Sequence, residues 1–172
     1  MKMLIKRIAL CILFQCGCLQ AQTWQAMEQV NVLTDAKSTL FTLSGKFTQG
    51  PTLGALISPV LRASCSSHSR SNSYTLLVGT TLASADAVYR LDDRKAQPGV
   101  GWNISTDFSG VFIPTITFND FLYGHLLKHK IDPTKPIHKL IIVMSQFAGS
   151  SIIMQFDMPD PTDVAKACGL IK

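Results

Sequence analysis

The sequence predicts a mainly β fold: an antiparallel β-sandwich or strongly bent sheet with one mid-chain helix and a C-terminal helix. Three observations carry it. Short runs of alternating apolar and polar residues fill most of the chain after residue 21. Clusters of Gly, Pro, Asn and Ser separate those runs. Helical spacing of apolar residues occurs only in "TFNDFLYGHLLKHK" and in the closing stretch "PTDVAKACGL".

Taken in order, "TWQAMEQVN" reads as a first strand. "KSTLFTLSGKF" alternates cleanly, with Leu40, Thr42 and Ser44 on one face and Phe41 and Leu43 on the other. "QGPTLGALISP" is a turn-rich connection opened by Gly50-Pro51. "PVLRASCSS" follows as a strand that sets Val60 against Leu61 and Cys65, and "SHSRSNS" is a polar loop. "YTLLVGTTLA" is a strong strand. "DAVYRLDD" is another, with Val88 and Arg90 on one side and Tyr89 and Leu91 on the other. "RKAQPGVG" reads as a turn region, and "GWNISTD" and "SGVFIPTI" complete the run.

In "TFNDFLYGHLLKHK", Phe118, Phe121, Leu122, His125 and Leu126 share a helix face. Thr117 or Asn119 is placed to cap its start, with Asp120 in the first turn and Lys128 and Lys130 in the last. Pro133 and Pro136 end it. "KLIIVMSQFA" and "SSIIMQFDM" are strands expected to pair across Gly149, and a short helix with Asp160 or Thr162 near its start closes the chain. The expectation is about nine strands and two helices.

The opening "MKMLIKRIALCILFQCGCLQAQTW" stands apart from this fold. Lys2, Lys6 and Arg7 precede an apolar run from Ile8 to Phe14 that is too short to span a bilayer. This reads as a signal peptide over residues 1–21, cut after Ala21, followed by a single β-rich exported domain over 22–172. Gly17-Cys18 resembles a lipoprotein site, but Gln15 stands where an aliphatic residue belongs, so a lipid anchor is the lesser alternative. Export implies an oxidising compartment, and the periplasm is the expected one.

Without residues 1–21 the chain keeps 13 basic and 11 acidic residues, a net charge of +2. That balance lacks the dense basic stripe of a nucleic-acid binder. Two cysteines remain, Cys65 and Cys168. In an oxidising compartment they are expected to pair. A bridge closing a loop of about 100 residues contributes on the order of 4–5 kcal/mol by the chain-entropy account. It would staple the C-terminal helix to the sheet.

No residue set amounts to an active site. His125 and His129 sit four apart with His138 nearby, but Leu126 replaces the glutamate of the metalloprotease pattern, so no metal is expected. "SCSSHSRSNS" places Ser beside His in a polar loop without a nucleophile elbow. Asp92, Asp93, Asp107, Asp120, Asp157, Asp160 and Asp163 show no marked pair for glycoside hydrolysis. No phosphate loop or dinucleotide fingerprint is present. The expectation is a protein that is not an enzyme and takes no cofactor. Asn103 in "NIS" fits the glycosylation pattern.

Trp24, "PVLRASC", "TLLVGT", "VYRLDD", "GWNISTD", "FNDFLYGHLL", "KLIIVM", Phe156 at a strand end and "VAKAC" together resemble the VasI/TagO family of type VI secretion-associated periplasmic proteins. The chain departs from that pattern after the last cysteine, where Gly169-Leu170 stand in place of a tryptophan. The resemblance implies an exported β domain that associates with an envelope or secretion-apparatus protein, and it carries no catalytic residues. Arg90, Asp92, Trp102, Ser105 and Asp107 are the pattern positions expected to cluster in space. Their plainer role is fold maintenance, with Trp102 in the core and Arg90 matched by a carboxylate. The expected function is thus an exported, non-enzymatic envelope protein that binds a protein partner. The alternative is a periplasmic inhibitor or immunity protein against a cell-wall hydrolase, using loop 66–73 or loop 94–101 as a plug.

Overall fold

The chain builds two antiparallel sheets from strands that alternate apolar and polar residues. The computed structural model describes residues 22–30, 35–50, 58–66, 72–124, 136–146 and 149–171. One sheet orders β1 (Gln25–Val30), β2 (Lys37–Ser44), β4 (Val60–Ser66), β5 (Ser73–Leu77), β9 (Gly110–Phe112) and β8 (Asn103–Ile104). The other orders β3 (Lys46–Gln49), β11 (Ser151–Asp157), β10 (Lys139–Gln146), β6 (Leu82–Leu91) and β7 (Gln97–Pro98). Two helices complete the described residues, α1 (Thr115–Tyr123) and α2 (Thr162–Ala167). The fold is mainly β and sandwich-like.

Strand alternation decides what the sandwich encloses. Leu61, Ala63 and Cys65 on β4 point inward, as do Phe41 and Leu43 on β2. Tyr89 and Leu91 on β6 face them from the other sheet with Leu140, Ile142 and Met144 on β10 and Ile152, Met154 and Phe156 on β11. Helix α1 adds Phe118, Phe121 and Leu122. Phe118 stacks on Tyr74 at 4.1 Å between ring centroids. Phe121 meets Tyr89 and Trp102 edge-on, at 5.1 and 6.0 Å.

The chain changes sheets at glycines. Between β2 and β3 it turns through Gly45, where an added Cβ would stand 2.7 Å from Phe156 Cε1 and 2.8 Å from the Gln155 carbonyl oxygen. Between β5 and β6 it turns at Gly79, whose φ of 69° lies in the left-handed region. "YTLLVGTTLA" is therefore two strands in different sheets rather than one. Its second half joins "DAVYRL" as the ten-residue β6.

The helices also differ from expectation. Helix α1 begins two residues earlier than "TFNDFL", at Thr115, with Pro114 at the N-cap and no side-chain cap. Thr117 and Asp120 are buried instead of capping or solvating the first turn. Gly124, at φ 54°, sits at the C-cap and donates its N–H to the Asp120 carbonyl. Arg94 donates through Nη1 to the Gly124 carbonyl and helps close that end. His125, Leu126, Lys128, His129 and Lys130 lie outside the described residues. The region "RKAQPGVG" contains the short strand β7 as well as a turn. Strands β10 and β11 pair from Lys139↔Asp157 to Ser145↔Ser151, the hairpin expected across Gly149.

Candidate functional site

Cys65 lies on the inner face of β4, and Cys168 follows the last turn of α2. The two form a disulfide with their Cα atoms 4.6 Å apart, and both are buried. Asn72 reinforces the join. Its Oδ1 accepts the Ser66 N–H at 2.9 Å, and its Nδ2 donates to the Cys168 carbonyl at 2.9 Å. One side chain thus ties the end of β4 to the end of α2 beside the covalent bond.

The structure distributes Arg90, Asp92, Trp102, Ser105 and Asp107 over four settings. Trp102 is a core residue, 6% exposed, with Tyr89 stacked at 6.4 Å and Phe121 against its edge. Arg90 points outward from β6, opposite Ile141, and forms no ion pair with a carboxylate among the described residues. Asp92 follows β6 in the left-handed region, at φ 47°. Its Oδ1 accepts the backbone N–H groups of His138 and Lys139, at 3.1 and 2.8 Å. Asp92 therefore fastens the end of β6 to the start of β10, a structural use of a short carboxylate.

Ser105 and Asp107 do come together. They form the turn between β8 and β9. The Ser105 hydroxyl donates to Asp107 Oδ1 at 2.6 Å and accepts the Gly110 N–H at 3.0 Å. Ser109 donates its hydroxyl to Asp107 Oδ2 at 2.7 Å. Hydrogen bonds from Ser105 and then Ser109 favour the ionised carboxylate and lower the Asp107 pKa to about 2. The hydroxyl proton of Ser105 is thus spent on closing a turn.

Of the histidines singled out from the sequence, His125 and His129 lie outside the described residues, and His138 contributes its backbone N–H to Asp92. Among the described residues no group of three His, Cys, Asp or Glu side chains is placed to hold a metal ion. No helix among them is long and apolar enough to cross a membrane.

One concave feature among the described residues carries no signal in the sequence motifs. A cleft of about 680 Å³ lies where the segment before β1 passes the end of β11 and the start of α2. Trp24, Phe41 and Met158 give it apolar walls, and Asp157, Asp160 and Asp163 line it as well. Trp24 packs edge-on against Phe118 at 6.4 Å. Its Nε1 is buried without a hydrogen-bond partner among the described residues. Asp160 accepts the Thr162 N–H and hydroxyl, at 2.9 and 2.6 Å, and these bonds lower its pKa. Burial raises the pKa of nearby Tyr123, and the Asp160 charge adds to the effect. The one sequence hint was the spacing of the three aspartates around Pro159 and Pro161.

No protein-family model, curated protein or solved structure matches the chain. The chemistry of the site therefore rests on this chain's own residues: a disulfide lock, two carboxylates that fasten backbone turns, and one open cleft with acidic side chains.

Proposed function

We propose that this is a non-enzymatic protein, exported by a signal peptide over residues 1–21 to the periplasm, where it binds an envelope or secretion-apparatus protein. The observation that carries the reading is the buried Cys65–Cys168 disulfide, a bond that persists in oxidising compartments. The basic-then-apolar opening segment supports export. The motifs "PVLRASC", "VYRLDD", "GWNISTD" and "VAKAC" support a role like that of the type VI secretion accessory proteins they resemble. Asp92, Ser105 and Asp107 are engaged in fastening backbone turns.

One observation favours the inhibitor reading as a second possibility. Val100, in loop 94–101, is 73% exposed, the form expected of an apolar plug.

The test is a pull-down from intact envelopes with the processed protein as bait, joined to non-reducing mass spectrometry. A linked Cys65–Cys168 pair with a secretion component enriched is the expected result. Enrichment of a muramidase or amidase, abolished by Val100→Asp, would move the assignment to the inhibitor. Recovery of the protein from the cytosol with free thiols would end both.

A further inference from the structure

We propose that the cleft beside Trp24 and the outer edge of β1 form one docking groove for an extended segment of the partner, rich in arginine or lysine alternating with apolar residues. The segment adds to β1 as a further strand and lays a basic side chain against Asp157, Asp160 and Asp163. This rests on the partner-binding reading above and supplies the site and the chemistry of what it binds.

The first argument is charge. Residues 22–172 carry a net +2, yet no residue lining the cleft is basic and three are aspartates. Asp163 forms no hydrogen bond or ion pair among the described residues. Asp157 shares its charge with Lys46 at 3.6 Å, with both side chains about half exposed. Such a surface pair is weak and exchanges readily with another cation. Asp160 is held ionised by Thr162. The walls are apolar, so a long side chain with an aliphatic stem and a cationic end suits the space. Trp24 adds an aromatic surface of the kind that attracts such cations.

The second argument is the strand itself. All six residues of β1 are exposed, and it pairs only with β2 among the described residues. The ladder runs without a bulge from Gln25↔Thr42 to Val30↔Lys37. Edge strands are ordinarily protected by proline, lysine, bulges or cover. Strand β1 has no proline or lysine, and it exposes Met27 and Val30. A regular, uncovered edge offers the backbone groups that an added strand uses. Ala26 belongs both to β1 and to the cleft lining, so the edge and the acidic cleft are continuous.

The test uses the processed protein recovered from the periplasm and an acetylated nine-residue peptide alternating arginine and valine. A glutamate–valine peptide is the control, and tryptophan fluorescence is the readout, with Trp24→Phe as the blank. The arginine peptide should saturate the signal and the glutamate peptide should not. The Asp157→Asn/Asp163→Asn double variant, with unchanged circular dichroism, should bind about tenfold more weakly, as expected for loss of exposed charge pairs. Equal binding of both peptides, or undiminished binding by the double variant, would overturn the proposal. So would a concentration-dependent dimer in sedimentation that the arginine peptide fails to dissolve, since a second copy would then own the β1 edge. If the double variant still captures the same envelope partner as the wild type, partner binding stands and the groove is wrong. If the wild type captures no partner, the broader reading falls whatever the peptides do.

Discussion

The Tyr89 hydroxyl donates a hydrogen bond to Asp120 Oδ2 at 2.9 Å in the interior, joining the long strand β6 to helix α1. Both residues are buried, at 6% and 8% exposure. A carboxylate in such a place needs its donors, and this phenol supplies one of them. Removing the hydroxyl with Tyr89→Phe should cost about 1–3 kcal/mol, because the remaining acceptor stays buried. Urea unfolding checks this as a lower midpoint with an unchanged slope.

The same pair contributes to the alkaline limit, alongside the buried Tyr74 and Tyr123. Burial first, then the hydrogen bond and charge of Asp120, raise the Tyr89 pKa above its ordinary 10.0. A raised folded pKa contributes stability that is complete below pH 10.0 and is lost as pH climbs toward the folded value. Thermal midpoints should therefore fall above pH 10.0, and less steeply in Tyr89→Phe.

The acid limit has a reporter in the β8–β9 turn. The Asp107 pKa is lowered from 3.8 to about 2, so its contribution is present above pH 3.8 and is lost as pH falls through about 2. An NMR titration of its carboxyl carbon should show a midpoint near 2. Ser105→Ala should move that midpoint upward, since Ser105 supplies the largest lowering contribution.

The disulfide joins residues 103 apart in sequence. Cys65→Ser/Cys168→Ser should lower stability by roughly 4–5 kcal/mol if the chain-entropy account holds. Amide hydrogen exchange should show that loss in the core amides of β10 and β6, which open only by global unfolding, with α2 exchanging faster still through local fraying. Loss confined to α2, with the core unchanged, would show that the bond holds only the tail.

Gly45 offers a packing test. A Cβ there meets the Phe156 ring and the Gln155 backbone oxygen, and the backbone partner cannot rotate away. Gly45→Ala should cost about 1–3 kcal/mol through overpacking at the corner between the sheets. Gly149→Ala serves as contrast. Its added Cβ meets nothing within 4 Å, so any cost there comes from its φ of 73°.

Much of the fold was legible because alternation is a local signal. Phe41 with Leu43, and Tyr89 with Leu91, face the core as their spacing requires. Corners were harder to read. Gly79 divides "YTLLVGTTLA" because Val78 and Leu82 are both buried in the core, so the apolar pattern runs straight across the break. Helix α1 meets its C-cap at Gly124 through that residue's backbone conformation, a stop the apolar spacing of the sequence does not announce. Ser105 and Asp107 come together because they stand two positions apart in sequence and one turn contains them. Arg90 and Asp92 sit close in the chain, yet β6 turns Arg90 outward while Asp92 fastens the strand's end. The cleft was out of reach because residues near 24, 41 and 160 meet there only after both sheets have formed.

The bond between Cys65 and Cys168 also imposes an order in time. Its second sulfur is made 103 residues after the first, when every strand described here has already been synthesised. During synthesis Cys65 therefore waits unmated, without its native partner until the tail is made. The closing helix acts as a latch that engages last, joining a tail made at the end to a strand made near the beginning.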